Sequence, residues 1–194
     1  VSPATPTFVT GGSSVTTTVL SFDCRVDAAA QTGLTTADVT VTANDANGDQ
    51  LDITTFAVRI GTTTVQTKAT PVLVSLGTPA TISQGQTVRV SLTVNNTGQA
   101  KLLLGSASLT VDGARMTASA VATNPTSIAG LQVTKLFFDL TATSAAASVV
   151  PTNIGVTLSA TDENNPGPTI LASSTNIRQI VIQRPPQLTL GTLL

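Results

Sequence analysis

The eight residues Thr87-Val88-Arg89-Val90-Ser91-Leu92-Thr93-Val94 alternate polar and apolar without a break. A period of two puts every apolar side chain on one face of an extended chain, which no helix does. Val39-Thr40-Val41-Thr42-Ala43 and Val156-Thr157-Leu158-Ser159-Ala160 repeat the pattern. Their Val and Thr are β-branched, stiff at χ1 and favoured on a pleated surface. Turn-forming clusters separate the runs: Asn47-Gly48, Gln84-Gly85-Gln86, Asn95-Asn96-Thr97-Gly98, Asp112-Gly113 and Asn165-Pro166-Gly167. The Ala-rich stretches 27–31 and 144–148 hold a helical turn at most. Short strands spaced by turns predict an all-β chain of antiparallel sandwiches. The expected core comprises Leu20, Phe22, Val39, Val41, Val88, Val90, Leu92, Val94, Leu136, Phe138, Val156 and Leu158. The consecutive apolar residues Ile180, Val181 and Ile182 leave their own register open.

The surface of such a sandwich is hydroxylic rather than ionic. Charged residues are 10% of the 194, against about 25% in an ordinary domain, while there are 37 Thr and 16 Ser. Nine Lys+Arg and ten Asp+Glu give a net charge of -1, so nucleic acid has no basic footprint to meet. The chain has no His, one Cys and a single Glu, Glu163. That removes most acid–base dyads, catalytic triads and zinc sites, and the chain does not read as an enzyme. No Trp or Tyr offers the stacking platform of a sugar-binding cleft. Mean hydropathy is +0.31, yet no apolar run approaches the roughly 18 residues of a spanning helix, so no membrane span is expected. Cys24 alternates with Leu20 and Phe22 on one face and reads as a small buried hydrophobe, with an intermolecular bridge or a reactive thiol as the alternative. With no initiator Met and no leader-like start, the sequence reads as a mature chain or an excised fragment.

An internal repeat organises the chain. Pro71-Val72-Leu73-Val74-Ser75-Leu76-Gly77-Thr78 recurs as Pro185-Pro186-Gln187-Leu188-Thr189-Leu190-Gly191-Thr192, at an offset of 114. Val41-Thr42-Ala43-Asn44-Asp45-Ala46-Asn47 recurs as Leu158-Ser159-Ala160-Thr161-Asp162-Glu163-Asn164, at 117. Phe22-Asp23 recurs as Phe138-Asp139, at 116, which sets Cys24 against Leu140. Three segments follow: 1–70, an incomplete module matching 125–184; 71–184, a complete module; and 185–194, the first strand of a further one. The junction falls near Ala69–Pro71. An incomplete module and a lone strand both leave sheet edges and backbone groups unpaired.

The complete module also carries a resemblance. Its opening runs from Leu73 to Gly98: a strand, a turn bearing Gly85, an alternating strand, and a Val-x-Asn-x-Gly end at Val94, Asn96 and Gly98. This resembles the start of CARDB-like bacterial extracellular immunoglobulin-fold modules. Val156–Asn164 is similar to their later strand, which ends in an Asp-rich turn. The resemblance implies an immunoglobulin-like sandwich serving as a spacer, an adhesin stalk or a sheet-mediated assembly unit.

Candidate chemistry is sparse. Asp45, Asn47 and Asp49 space oxygen ligands as the start of a calcium loop does, or form an Asx-type turn between strands. Asn95-Asn96-Thr97 is a glycosylation sequon or an ordinary turn. The expected function is structural: a subunit or segment of a prokaryotic surface fibre or stalk outside the cell, its modules joined head to tail. Its partner is itself, as a homopolymer, or neighbouring repeats of a longer array. Leu188, Thr189, Leu190 and Leu193 form the expected assembly strand, with Leu188 and Leu190 filling the acceptor groove by strand addition. The competing readings are an adhesin or ligand-binding surface module and a spacer domain of a secreted enzyme.

Overall fold

The computed structural model describes residues 2–3, 22–23, 25–27, 29–41, 56–143 and 151–184. The chain divides into two compact units, Val1–Val65 and Gln66–Leu194. The sequence placed the junction at Ala69–Pro71; by compactness Gln66–Thr70 go with the second unit. Every described element is a strand, turn or irregular segment.

In the first unit, β1 (Ser2–Pro3) pairs antiparallel with β2 (Phe22–Asp23), and β3 (Gly33–Val41) with β4 (Phe56–Val65). The β3–β4 hairpin sets Val39 opposite Val58 and Val41 opposite Phe56, with a register shift between Ala37 and Asp38. Val39, an expected core residue, is half-buried. Leu20 and Cys24, and the side chains of Phe22 and Val41, lie outside the described residues.

The second unit is built from β5 (Pro71–Gly77), β6 (Thr81–Ser83), β7 (Thr87–Asn96), β8 (Leu102–Thr110), β9 (Met116–Ala120), β10 (Ser127–Ile128), β11 (Val133–Ala142), β12 (Pro151–Asp162) and β13 (Asn165–Gln183). One sheet runs β5-β7-β11-β9 and the other β10-β8-β12-β13-β6. Read as A-B-E-D and C-F-G, these are the two sheets of an immunoglobulin-like sandwich. β6 continues the first strand after it crosses to the second sheet. It pairs parallel with β13, Ile182 opposite Ile82, an exception to the antiparallel expectation.

Period two governs the core. Val90, Leu92 and Val94 of β7 lie opposite Phe138, Leu136 and Thr134 of β11. Val90, Leu92, Val94, Leu136, Phe138, Val156 and Leu158 are all buried, and Val88 is half-buried against them. Leu102, Met116, Ile128, Ile154, Ile180 and Ile182 complete the interior. Val181 is half-buried on the other face of β13, which settles the register of the three consecutive apolar residues. Each such large side chain taken out of water contributes about 1.5–3 kcal/mol.

A second hairpin, β12–β13, sets Val156 opposite Ser174 and Leu158 opposite Ala172, with a register shift between Ile154 and Val156. Offsets of 117 on β3 and 116 on β4 turn the three pairs at Val39, Thr40 and Val41 into those at Val156, Thr157 and Leu158. Beyond the register shift the correspondence ends, since Ala37 pairs with Gly61 and Ile154 with Arg178.

The strands also fix where the chain comes in and goes out of the second unit. Incoming Ala69 bonds to Asp162, the last residue of β12, which lies opposite Asn165, the first of β13. Outgoing Gln183 lies beside Ser83, while Val181 faces Pro151 at the start of β12. The 19-residue β13 separates these two places, so the chain traverses the sandwich from one pole to the other.

Candidate assembly elements

The expected assembly strand, Leu188, Thr189, Leu190 and Leu193, lies outside the described residues. Its sequence counterpart β5 shows how a first strand sits in a module. Pro71, Val72 and Leu73 pair with Asn96, Asn95 and Val94, and after a shift Ser75, Leu76 and Gly77 pair with Thr93, Leu92 and Ser91. Val74 falls at the shift and is 55% exposed, whereas Leu76 is 4% exposed. In the repeat, Leu190 aligns with Leu76 and Leu188 with Val74. Within β5 the shift thus makes Leu76 a buried anchor and leaves Val74 outward, a distinction that alternation alone did not reveal.

The sheets leave peptide edges open. Among the described residues, β13 pairs with β12 along most of its length but with β6 only at Val181–Gln183. Pro166 and Pro168, near its start, lack N–H groups and weaken that end as a template. The outer face of the β5-β7-β11-β9 sheet aligns Val72, Asn95 and Val133 in one row. Further along it, Arg89 Nε lies 3.1 Å from Asp139 Oδ1, and this carboxylate raises the pKa of the guanidinium.

The densest polar constellation lies where the chain comes in. Asn96 is fully buried and uses both ends of its amide. Its Oδ1 accepts from Thr70 N–H at 3.0 Å and Gly98 N–H at 3.2 Å. Its Nδ2 donates to the carbonyls of Ala100 at 2.8 Å and Ala129 at 3.2 Å. Asp162 is 3% exposed. Its Oδ2 accepts from Ala69 N–H and its Oδ1 from Asn164 N–H, both at 2.8 Å. Gln99 adds a reciprocal pair: Oε1 accepts from Thr67 N–H at 3.0 Å, and Gln99 N–H donates to the Thr67 hydroxyl at 2.9 Å. The sequence reads Asn95–Gly98 and Asp162–Asn164 as turns, and after Asp162 the residues Glu163 and Asn164 do form one. In the structure Asn95 and Asn96 are the last two residues of β7 instead. Buried amide and carboxylate groups need partners, and here the partners are main-chain groups distant in sequence, which no local pattern displays.

The possible calcium ligands Asp45, Asn47 and Asp49 lie outside the described residues. Among the described residues, no group of three or more His, Cys, Asp or Glu is placed to hold a metal. Asp162, the repeat counterpart of Asp45, has both oxygens engaged by N–H donors. Millimolar calcium is therefore expected to leave the melting temperature of the second unit unchanged. A calcium-dependent rise in that transition would show that the turn takes an ion, and a rise in the first unit's transition alone would point to Asp45, Asn47 and Asp49. Among the described residues, no helix is long and apolar enough to cross a membrane.

No family model and no curated protein matches this chain. Solved structures give distant likenesses. One is the secreted serine protease VesC from Vibrio cholerae, at 14% identity and a TM-score of 0.34, over 57% of this chain and 23% of that one. Another is the ASH/PapD-like domain 7 of human CEP192, at 15% identity and a TM-score of 0.34, over 63% of this chain and 89% of that one. The chain thus spans under a quarter of the Vibrio protease.

Proposed function

We propose that the chain is a structural segment of an extracellular prokaryotic surface fibre or stalk, built of tandem immunoglobulin-like modules joined head to tail by β-strand addition. The observation that carries this reading is the passage of the chain from pole to pole of the second unit. A module whose two connections leave at opposite ends extends a line when repeated, whereas adjacent connections would fold the line back on itself. The matching pairs at Val39–Val41 of β3 and Val156–Leu158 of β12 support a first unit copied from the same plan. The likeness of Val94, Asn96 and Gly98 to the CARDB-like pattern supports the same class of module. The low charge and abundant hydroxyl groups fit an exposed, passive surface, and nothing in this role requires catalysis.

In this proposal residues 185–194 add as a β-strand to an incomplete module of another copy. Main-chain bonds supply affinity and Leu190 the buried anchor. The contact is heterologous and does not close on itself, so it builds a fibre. Deleting residues 185–194 is expected to leave a monomer by sedimentation and electron microscopy where the intact chain forms polymer. Leu190→Ala is expected to weaken polymer far more than Leu188→Ala. Polymer from the truncated chain, or an intact chain that stays monomeric at high concentration, overturns strand donation between copies. The second outcome assigns the strand to the next module of the same chain.

A further inference from the structure

Gln66–Thr70 lie between β4 and β5 and belong to no sheet. Such a segment ordinarily acts as a hydrated hinge. This one does not: Ala69 is 1% exposed, and its N–H and that of Thr70 end on the side chains of Asp162 and Asn96. The carbonyls of Thr67 and Thr70 accept from Ala100 and Thr97 N–H groups, at 3.0 and 2.9 Å. Gly98 lies so close beneath that a Cβ there would overlap the Lys68 carbonyl oxygen.

The groups that hold the segment sit at the ends of particular strands. Asn96 ends β7, which lies between β5 and β11, and Asp162 ends β12, which lies between β8 and β13. Both are interior strands, one in each sheet. β5, which follows directly, is an edge strand with β7 as its one sheet neighbour among the described residues. The geometry points to a tension latch: Gln66–Thr70 passes a pull arriving from the N-terminal side into β7 and β12, through Asn96 and Asp162, before it reaches β5. Without the latch the whole pull falls on β5, whose bonds to β7 are then sheared alone. This is a property of a single chain and holds whether or not copies assemble.

Two measurements on the full chain test it. The first is trypsin cleavage after Lys68, whose side chain is exposed while the next peptide N–H is pinned. Native wild type is expected to resist. Asp162→Ala should speed cleavage about ten- to hundredfold, the effect of losing hydrogen bonds to a buried charge. Gln99→Ala, at an exposed loop residue, should give a smaller acceleration in the same direction without threatening the fold. The second is single-molecule pulling in a Cys24→Ser background, with handles at Thr64→Cys and Arg184→Cys, or at Val72→Cys and Arg184→Cys. The first pair loads the latch and the second bypasses it. The proposal expects Gln99→Ala and Asp162→Ala to lower the unfolding force of the second unit more through the first pair than through the second. Equal losses in both geometries, or cleavage after Lys68 as fast in wild type as in the variants, would overturn it.

Discussion

Replacing Phe138 by alanine is expected to lower the unfolding free energy of the second unit by about 3–5 kcal/mol. The ring is 1% exposed. It lies on β11 opposite Val90 of β7 on one side and Ala120 of β9 on the other. Truncation removes its transfer free energy and leaves a cavity that two hydrogen-bonded sheets cannot collapse to fill. A domain is stable by about 5–15 kcal/mol, so this one change takes a large part of the total. The neighbouring Phe137 is the control. It points to the outer face and is 37% exposed, so Phe137→Ala should cost under about 1 kcal/mol. Chemical denaturation of both variants measures the difference; equal losses would mean that the alternation of β11 is misassigned.

Gly98→Ala should cost about 1–3 kcal/mol or more, for a different reason. No left-handed backbone angle is involved, since among the described residues the glycines with positive φ are Gly33 and Gly85. The conflict is steric: the new methyl would meet the backbone of Lys68 and Ala69, which cannot rotate away as a side-chain tip can. The incoming segment must lift, freeing the N–H groups of Ala69 and Thr70 and stranding the Asp162 carboxylate. Hydrogen exchange at those two amides should therefore accelerate along with the loss of stability. Gly113→Ala, where a Cβ meets nothing within 4 Å, should stay within about 0.5 kcal/mol of wild type. A Gly98→Ala protein as stable as Gly113→Ala would show that the segment is not packed where the structure places it.

What could be read in advance divides along physical lines. β7, β11 and β12 were legible because one face of each is buried, and burial on one face forces a period of two that any reader can see. β13 was less so: its run Ile180-Val181-Ile182 places apolar groups on both faces, and only the partner strands decide which pair goes inward. The parallel contact of β6 with β13 was invisible, because a strand of three residues has no period. The Asn96 and Asp162 constellation was visible as letters and read as turns, which holds for the bonds to Gly98 and Asn164 N–H but is only part of what these side chains do. Their roles rest on bonds to Thr70 and Ala69, at sequence separations of 26 and 93, which composition and spacing do not encode. The register shift at Val74 in β5 was not legible either, being a backbone irregularity without a sequence mark.

The pole-to-pole course of the chain has one more consequence, which concerns length. Folded, the ends of β13, one beside each connection, are at most about 60 Å apart, the contour of its 19 residues. Unfolded, residues 66–184 can extend to roughly 400 Å at about 3.3–3.6 Å per residue. Because the two connections sit at opposite ends, nearly all of that difference is released along the line of the chain when this sandwich opens. Among the described residues, the buried core lies between Ala69 and Ile182, within this unit. A row of such units therefore stores slack in separate packets, giving way by one packet at a time and recovering each as its sandwich refolds.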